Sequence, residues 1–308
     1  MRGRNGARQV ERFNPARAAR LDDQDRFQYL PPARVVELLD IPPAAAVVDF
    51  GTGTGLYAIE IAERRPDVAV VAIDEQPTML NRLRAKPRAR RSNLLPVGEA
   101  DEIAARAGIA DRVFALNVLH ELEDDALAGL RALINEDGFA LIVDWNAGVQ
   151  RPVGPPADHV YSQEEACERL RRFGFHPVAM GGFPYHYAIV CRLTRTAQSD
   201  GVTRRTAEIV DKSEVSRRLH EGALLIDVRG DDEWQAGHIT DAIHIPLAAL
   251  ASESEKLPRD RDILLVCGSG NRSLRAVKLL KCLGHTTCLS VEGGMKEWAA
   301  AGHPLRQV

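Results

Sequence analysis

The sequence predicts an α/β protein made of two domains. Three observations carry that expectation. Short apolar runs alternate with helix-like segments in two separate stretches of chain, which is the pattern of parallel sheets covered by helices. A polar tract without apolar period divides the two stretches. In each stretch a glycine-rich loop follows a strand and opens a helix. At 308 residues the chain is long enough for two domains, each with its own core.

The first stretch runs from about Leu30 to Leu193. Val47–Phe50, Val68–Ile73, Leu94–Val97, Val113–Leu116 and Ala140–Val143 read as short buried strands, and Ala58–Arg65 and Asp125–Leu133 as helices between them. Such strands need helices on both faces of a parallel sheet. At the end of this stretch, Pro177–Gly182 and Tyr185–Arg192 are two strand-like runs joined through Phe183-Pro184, so an antiparallel pair is expected there. Residues 194–206 (TRTAQSDGVTRRT) read as a linker, which if flexible would span about 20 Å. Beyond it, Leu224–Val228 and Ile263–Val266 read as strands, and Ser213–Leu219, Ser273–Leu283 and Gly294–Ala301 as helices. The expected domains are thus 1–193 and 207–308, with the arginine-rich residues 1–20 expected to be frayed.

With 45% hydrophobic and 27% charged residues, the composition argues against a disordered chain and against a membrane protein. The longest apolar runs, such as Ile263 to Cys267, fall well short of the ~18 residues of a spanning helix. The net charge of −3 gives no global attraction to nucleic acid or an anionic membrane. Arg82, Arg84, Lys86, Arg88, Arg90 and Arg91 form a basic run without interleaved aromatics, which reads as a solvated helix face. Neither nucleic acid nor a membrane is therefore expected as a partner. The five cysteines make no CxxC pair, so no metal site is expected, and a reducing, cytoplasmic setting is.

Asp49-Phe50-Gly51-Thr52-Gly53-Thr54-Gly55 joins a strand to a helix. Glycines there let the backbone turn sharply and approach a ligand, and the free N–H groups of the helix start favour a polar or anionic group. Asp74 ends the next strand, where a carboxylate can accept hydrogen bonds from a ribose diol. The dinucleotide fingerprint G-x-G-x-x-G is not met, because the third glycine, Gly55, comes one position early and Leu56 takes its slot.

The acid-led form D-x-G-x-G-x-G resembles motif I of class I S-adenosylmethionine-dependent methyltransferases. The resemblance extends over most of residues 12–193. It implies a Rossmann-like seven-stranded sheet and S-adenosylmethionine as cofactor, with Asp49, Gly51, Gly53 and Gly55 in the loop and Asp74 on the ribose. Gly98-Glu99-Ala100 resembles the family's adenine turn, with Glu99 in place of aspartate. Asn117-Val118-Leu119-His120-Glu121-Leu122 resembles the fourth-strand motif that closes over the cofactor, which brings in Asn117. His120 and Glu121 are candidates for a base or for a solvated strand–helix junction. The His159-Val160-Tyr161 and Tyr185-His186-Tyr187 clusters fall where family members shape the acceptor pocket. Arsenite methyltransferases share a similar loop, but only Cys167 and Cys191 are available here to hold arsenic.

In the second stretch, Cys267-Gly268-Ser269-Gly270-Asn271-Arg272-Ser273 lies between a buried strand and a helix. Backbone N–H groups and the helix N-terminus would stabilise a thiolate at Cys267, and Arg272 would offer a cation to an oxyanion. Residues from about Ala207 to Pro304 resemble the rhodanese family, through Leu225-Ile226-Asp227-Val228-Arg229, Glu233-Trp234, Gly237-His238-Ile239, Ala242-Ile243-His244-Ile245-Pro246, Glu292-Gly293-Gly294 and Trp298. The resemblance implies a smaller α/β domain that carries sulfur as a persulfide on Cys267, with thiosulfate or a persulfide as donor. The C-x4-R loop is one residue shorter than that of relatives acting on phosphate or arsenate, which favours sulfur transfer. Asp227 and Arg229 are expected to pair and brace the loop.

The expected whole is a bifunctional transferase: methyl transfer to a small acceptor, and sulfur transfer through Cys267 and Arg272. The fusion, and the lack of a convincing base near the glycine loop, point to a thiol or sulfide as the methyl acceptor. Two alternatives stand beside it: a methyltransferase with a sensory or carrier rhodanese domain, and a ligand-binding protein without methyl turnover.

Overall fold

Strands β1 (Ala46–Phe50) and β2 (Ala69–Ile73) bury every residue but Phe50, as runs of alanine, valine and isoleucine must when both faces of a sheet are covered. The computed structural model describes residues 12–194 and 208–306. Helix α1 (Pro32–Leu39) precedes β1, starting on a proline that needs no N–H partner. Then follow α2 (Leu56–Arg64), β2, α3 (Pro77–Ala85), β3 (Leu94–Val97), α4 (Ala100–Ala104), β4 (Ala110–Leu116), α5 (Asp124–Leu133), β5 (Ile134–Trp145), α6 (Gln163–Arg172), β6 (Phe175–Gly182) and β7 (His186–Leu193). Ser162 and Glu165 form a capping box that starts α6. The seven strands take the order β3-β2-β1-β4-β5-β7-β6, parallel except for β7, which is antiparallel to both β5 and β6. The expected sheet and terminal antiparallel pair are both present.

The second domain contains β8 (Ile209–Val210), α7 (Lys212–His220), β9 (Leu224–Asp227), α8 (Asp231–Gln235), β10 (Ile243–His244), α9 (Leu247–Glu253), β11 (Ile263–Val266), α10 (Asn271–Cys282), β12 (Cys288–Val291) and α11 (Gly294–Ala300). Its five strands are all parallel, in the order β10-β9-β11-β12-β8. The two-residue edge strands are too short to show a period in the sequence. The proposed linker lies, apart from Thr194, outside the described residues.

The first sheet is covered unevenly by its own helices. One face packs on α1, α2 and α3 through residues such as Val35, Leu39, Ile59, Leu80 and Leu83. On the other face α5 and α6 supply Leu127, Leu130, Leu133 and Leu170. The connection from β3 to β4 holds only α4, five residues with none buried. It leaves the Ala46, Val48, Ala69 and Val71 side chains to be covered by something else.

Helix α10 of the second domain covers them. It packs on β11 and β12 of its own sheet and on β1 and β2 of the first. Ala276, Leu279, Leu280 and Cys282 share one apolar core with Ala46, Val48, Ala69 and Val71. From Arg272 to Leu283 no residue is exposed, which is the condition of a helix enclosed on all sides. Arg106, from the first domain, donates Nε–H to the Cys282 carbonyl (3.1 Å), and Arg259 donates to the Leu283 carbonyl (3.2 Å). Both cations therefore sit on the negative end of the α10 dipole. Ser92 Oγ donates to the Ser252 carbonyl (2.7 Å), and Ser254 Oγ returns a bond to the Ser92 carbonyl (3.0 Å).

The described part of the N-terminal segment is folded rather than frayed. Residues Pro15–Asp22 and Gln24–Gln28 form two 3-10 turns, capped by Asn14 and Asp23. Among the described residues no helix is long and apolar enough to cross a membrane.

A shared core predicts shared unfolding. In a urea titration, labelling of Cys191 in the first domain and Cys282 in the second is expected to share one midpoint. Arg106→Ala should lower that midpoint for both thiols together, costing about 1.5–3 kcal/mol for a buried charged hydrogen bond. Two separated midpoints would show that the domains unfold independently.

Candidate active sites

The first site is a cleft of about 610 Å³ at the carboxyl ends of β1, β2 and β4. Its wall includes Asp49, Gly51, Thr52, Gly53, Asp74, Asn117 and Glu121, and residues Phe13, Leu21 and Arg26 of the N-terminal segment close one side. Gly51 has φ +76°, and a Cβ there would stand 2.7 Å from Val118 Cγ1, so only glycine fits the turn. Gly55 (φ +77°) does not line the cleft. It caps α2, and a Cβ there would meet Leu83 Cδ1 at 2.3 Å, so it sets the distance between α2 and α3.

The carboxylates of the cleft are held by its own backbone. Gly53 N–H donates to Asp74 Oδ2 (2.8 Å) and Gln76 N–H to Asp74 Oδ1 (2.9 Å). Each oxygen keeps a lone pair for a further donor. Thr52 Oγ donates to Asp49 Oδ2 (2.7 Å). Burial pushes Asp49 up to about 7, against the pull of Thr52. Burial likewise raises Asp74, against the Gln76 and Gly53 hydrogen bonds. Asn117 stands at φ +58°, and both polar atoms of its side chain are buried without a protein partner. A buried amide with neither end bonded is costly unless a ligand satisfies it. The site therefore fits a polar cofactor seated between the glycine loop and the end of β4.

Glu99 departs from the expectation. It is exposed at the N-cap of α4 and is not part of the cleft wall. Sequence reading also missed the cover: Phe13 N–H donates to Glu121 Oε2 (2.8 Å), Gln76 Nε2 donates to the Phe13 carbonyl (3.2 Å), and Asp22 bonds Thr54 and Lys86. The basic run is tied down as well, with Arg88 on Glu60 and Glu63 and Arg91 on Glu63.

His120 and Glu121 are not a solvated junction. His120 Nδ1 lies 2.9 Å from Asp144, whose side chain is wholly buried, and its Nε2 lies 3.5 Å from Glu121 Oε1. Burial works to lower the imidazole, but the Asp144 charge and hydrogen bond outweigh it and raise its pKa above the ordinary histidine value. Burial raises Glu121, against the pull of His120. Asp144, His120 and Glu121 form a series that ends at the cleft wall, which places a titratable group beside the glycine loop. Beside it the rings of Tyr29, Trp145, Tyr185 and His186 cluster. Both His186 nitrogens are buried without a partner, and burial pushes this imidazole down to about 4. Cys167 and Cys191 are buried free thiols, and burial pushes Cys191 up to about 12. Among the described residues no group of side chains has the make-up of a metal site.

The second site is the loop between β11 and α10. Gly270 (φ +94°) turns the chain so that Gly270 N–H (3.2 Å) and Ser273 N–H (3.3 Å) point at Cys267 Sγ. Burial works to raise the thiol, but these donors and the Ser273 hydroxyl outweigh it and lower its pKa. The Glu292-Gly293-Gly294 motif supports the loop from beneath. Met295 N–H donates to the Cys267 carbonyl (2.7 Å) and Lys296 N–H to the Gly268 carbonyl (3.0 Å), while a Cβ on Gly294 would meet the Cys267 carbonyl oxygen at 2.3 Å. Asp227 and Arg229 pair inside the domain (2.7 Å), and Arg229 also donates to the Gly237 carbonyl. Arg272 stands at the mouth, but with both terminal nitrogens on Glu233, at 2.6 and 2.7 Å. Burial pushes Cys282 and Cys288 up to about 12 each, so they stay protonated core thiols.

Two family models match the chain: a methyltransferase domain over residues 47–138 and a rhodanese-like domain over residues 211–301. A sulfurtransferase of Allochromatium vinosum is 35% identical over 98 residues, which make up 31% of this chain and 92% of that protein. The thiosulfate sulfurtransferase GlpE of Pseudomonas savastanoi is 35% identical over 80 residues, covering 26% of this chain and 76% of that protein. Among solved structures, a SAM-dependent methyltransferase from Aquifex aeolicus is similar with a TM-score of 0.54 and 24% identity, over 58% of this chain and 98% of that one. At that identity the likeness shows the fold.

The loop geometry predicts one reactive thiol among five. The alkylation rate of Cys267 by iodoacetamide is expected to titrate below the ordinary thiol range, and Ser273→Ala should move that midpoint upward. Cys191, Cys282 and Cys288 should stay unlabelled in the folded protein. Equal labelling of all the cysteines would sink the assignment.

Proposed function

We propose that this chain, which belongs to the rhodanese-like family through its C-terminal domain and carries a methyltransferase domain ahead of it, is a bifunctional transferase. One half transfers a methyl group from S-adenosylmethionine to a small acceptor, and the other transfers sulfur through Cys267. The observation that supports the reading is that each half aims unpaired or converging polar atoms into its own cradle. These are the Asn117 amide in the first cleft, and the loop N–H groups around the Cys267 sulfur in the second.

In the sulfur half, the Cys267 thiolate attacks the outer sulfur of a donor. The donor's S–S bond breaks, and the rest of the donor leaves as an anion: sulfite from thiosulfate, a thiolate from a persulfide. The sulfur now on Cys267 is stabilised by the same N–H groups and the α10 N-terminus. An incoming thiolate or cyanide then takes the outer sulfur and restores Cys267, so the kinetics are ping-pong.

In the methyl half, S-adenosylmethionine supplies an activated methyl group when bound. Asp74 would accept from its ribose hydroxyls, Gly51 and Gly53 would allow close backbone approach, and the unpartnered Asn117 amide would pair with a polar group of the cofactor. The cleft's carboxylates suit a cation. The residues' remaining task is to align an acceptor and hold the proton it gives up. Glu121, backed by His120 and Asp144, is the group at the wall that can take that proton. A hydroxyl acceptor is therefore served as well as a thiol, and the missing base no longer argues for sulfur on both sides.

Two measurements test the reading. Intact mass after exposure to a sulfur donor should show one added sulfur on the native chain and none on Cys267→Ser; loading of the serine variant would show a misassigned nucleophile. Calorimetry should show S-adenosylmethionine binding, weakened by Asp74→Ala by about 1.5–3 kcal/mol. Because Asp49 titrates near 7 and a cationic ligand favours its charged form, affinity should rise with pH, by about tenfold at most between pH 6 and 8. Affinity falling over that range, or heat only with a dinucleotide, would overturn the cofactor assignment.

A further inference from the structure

The Arg272–Glu233 pair carries one more inference, which rests on the sulfur-transfer reading. The two carboxylate oxygens meet the two terminal guanidinium nitrogens at 2.7 and 2.6 Å, a fork-to-fork match. The Arg272 hydrogen bond holds the Glu233 pKa down to about 2, so the carboxylate is charged at any working pH. The pair lies over the sulfur loop: a Cβ on Gly268 would stand 3.1 Å from Arg272 Nη2 and 3.7 Å from Glu233 Oε1. Beneath it Cys267 is 1% exposed. The other arginine near the loop, Arg229, is taken up by Asp227. Asp231 and Asp232 precede Glu233 on α8 and are exposed, and Asp231 is 3.7 Å from His244 Nδ1. Lys296 meets the loop through its backbone N–H.

Among the described residues, the two arginines beside the loop are therefore already paired with carboxylates when a donor arrives at Cys267. With the thiolate, Arg272 and Glu233 counted together, the mouth carries one net negative charge. Thiosulfate, a dianion, finds both terminal nitrogens of the cation already on the carboxylate, and it must share the guanidinium's remaining N–H donors beside that like charge. A thiol persulfide carries at most one charge at its reacting end and needs no cation for its leaving thiolate. We propose that Glu233 is the donor-selecting residue, and that it turns Cys267 toward thiol persulfides and away from thiosulfate. The step balances as thiolate plus R–S–S–H giving Cys267–S–S–H and R–S⁻. The new S–S bond replaces the broken one, the electron pair leaves with R–S⁻, and no oxidant or reductant is needed.

The test compares the full chain with Glu233→Gln, a half-exposed position where glutamine keeps the shape and can still accept the Gly230 N–H. One added sulfur on Cys267 is followed by intact mass, with thiosulfate and with cysteine persulfide as the two donors. The native chain is expected to load faster from cysteine persulfide. In Glu233→Gln the ratio of thiosulfate to persulfide rates should rise about tenfold, the order of removing one charge beside a dianion. Adding Arg272→Ala to that variant should erase the gain, since the freed cation is what produces it. An unchanged ratio in Glu233→Gln, or native loading as fast from thiosulfate as from persulfide, overturns donor selection while sulfur transfer stands. Loading from neither donor in either protein removes the sulfur-transfer reading and this proposal with it.

Discussion

Helix α10 is the element on which both halves depend. Its N-terminus and the loop before it hold Cys267. Its body fills the space between the two sheets, and its C-terminal carbonyls are bonded by one arginine from each domain. A helix dipole with its negative end neutralised by Arg106 and Arg259 keeps its positive end for the thiolate. The packing that covers β1 and β2 is thus the packing that fixes the sulfur loop. The first sheet is incomplete without it, because the only helix in the β3–β4 connection is the five-residue α4, which buries no side chain. Ala46 and Ala69, small where β1 and β2 meet the helix, let it come close.

This arrangement replaces the picture of two modules on a tether. A flexible linker argument speaks only of effective concentration, and shared apolar burial is a stronger constraint than a tether. The two sites do not need to approach one another for the fusion to matter. Joining the domains completes a core, which is a physical reason for one chain that does not require a common substrate. The fusion then no longer argues by itself for a common sulfur pathway, and Glu121, which ends the Asp144–His120 series at the cleft wall, is a titratable group beside the cofactor cleft.

The sequence made the chemistry legible where the backbone had to be special. Gly51, Gly53 and Cys267 lie in loops whose geometry follows from glycine and from a strand feeding a helix, and that pattern is local. Asp227 and Arg229, two residues apart on one strand end, could be paired from spacing. What was hidden is non-local. Asp144 lies 24 residues beyond His120, and Glu233 lies 39 residues before Arg272. Only the folded sheets bring those partners together. Glu99 was placed by resemblance alone, and in the fold it is exposed at the N-cap of α4, apart from the residues that line the cleft. The cover from Phe13 to Gln28 was missed because short 3-10 turns have no apolar period to read.

The two sites treat charge in opposite ways, and the difference follows from what surrounds them. The cofactor cleft gathers Asp49, Asp74 and Glu121, and burial raises all three, so the site costs least when a cation shares the space. The sulfur loop instead relies on uncharged donors. Gly270 and Ser273 N–H groups point at the sulfur, and Arg272 at the mouth is matched by Glu233. Backbone dipoles stabilise the nucleophile whichever donor arrives, because they are fixed by the fold. A guanidinium would favour anionic donors, and its pairing removes that bias. Selection at Cys267 is therefore set at the rim by Glu233, while reactivity is set in the loop by α10.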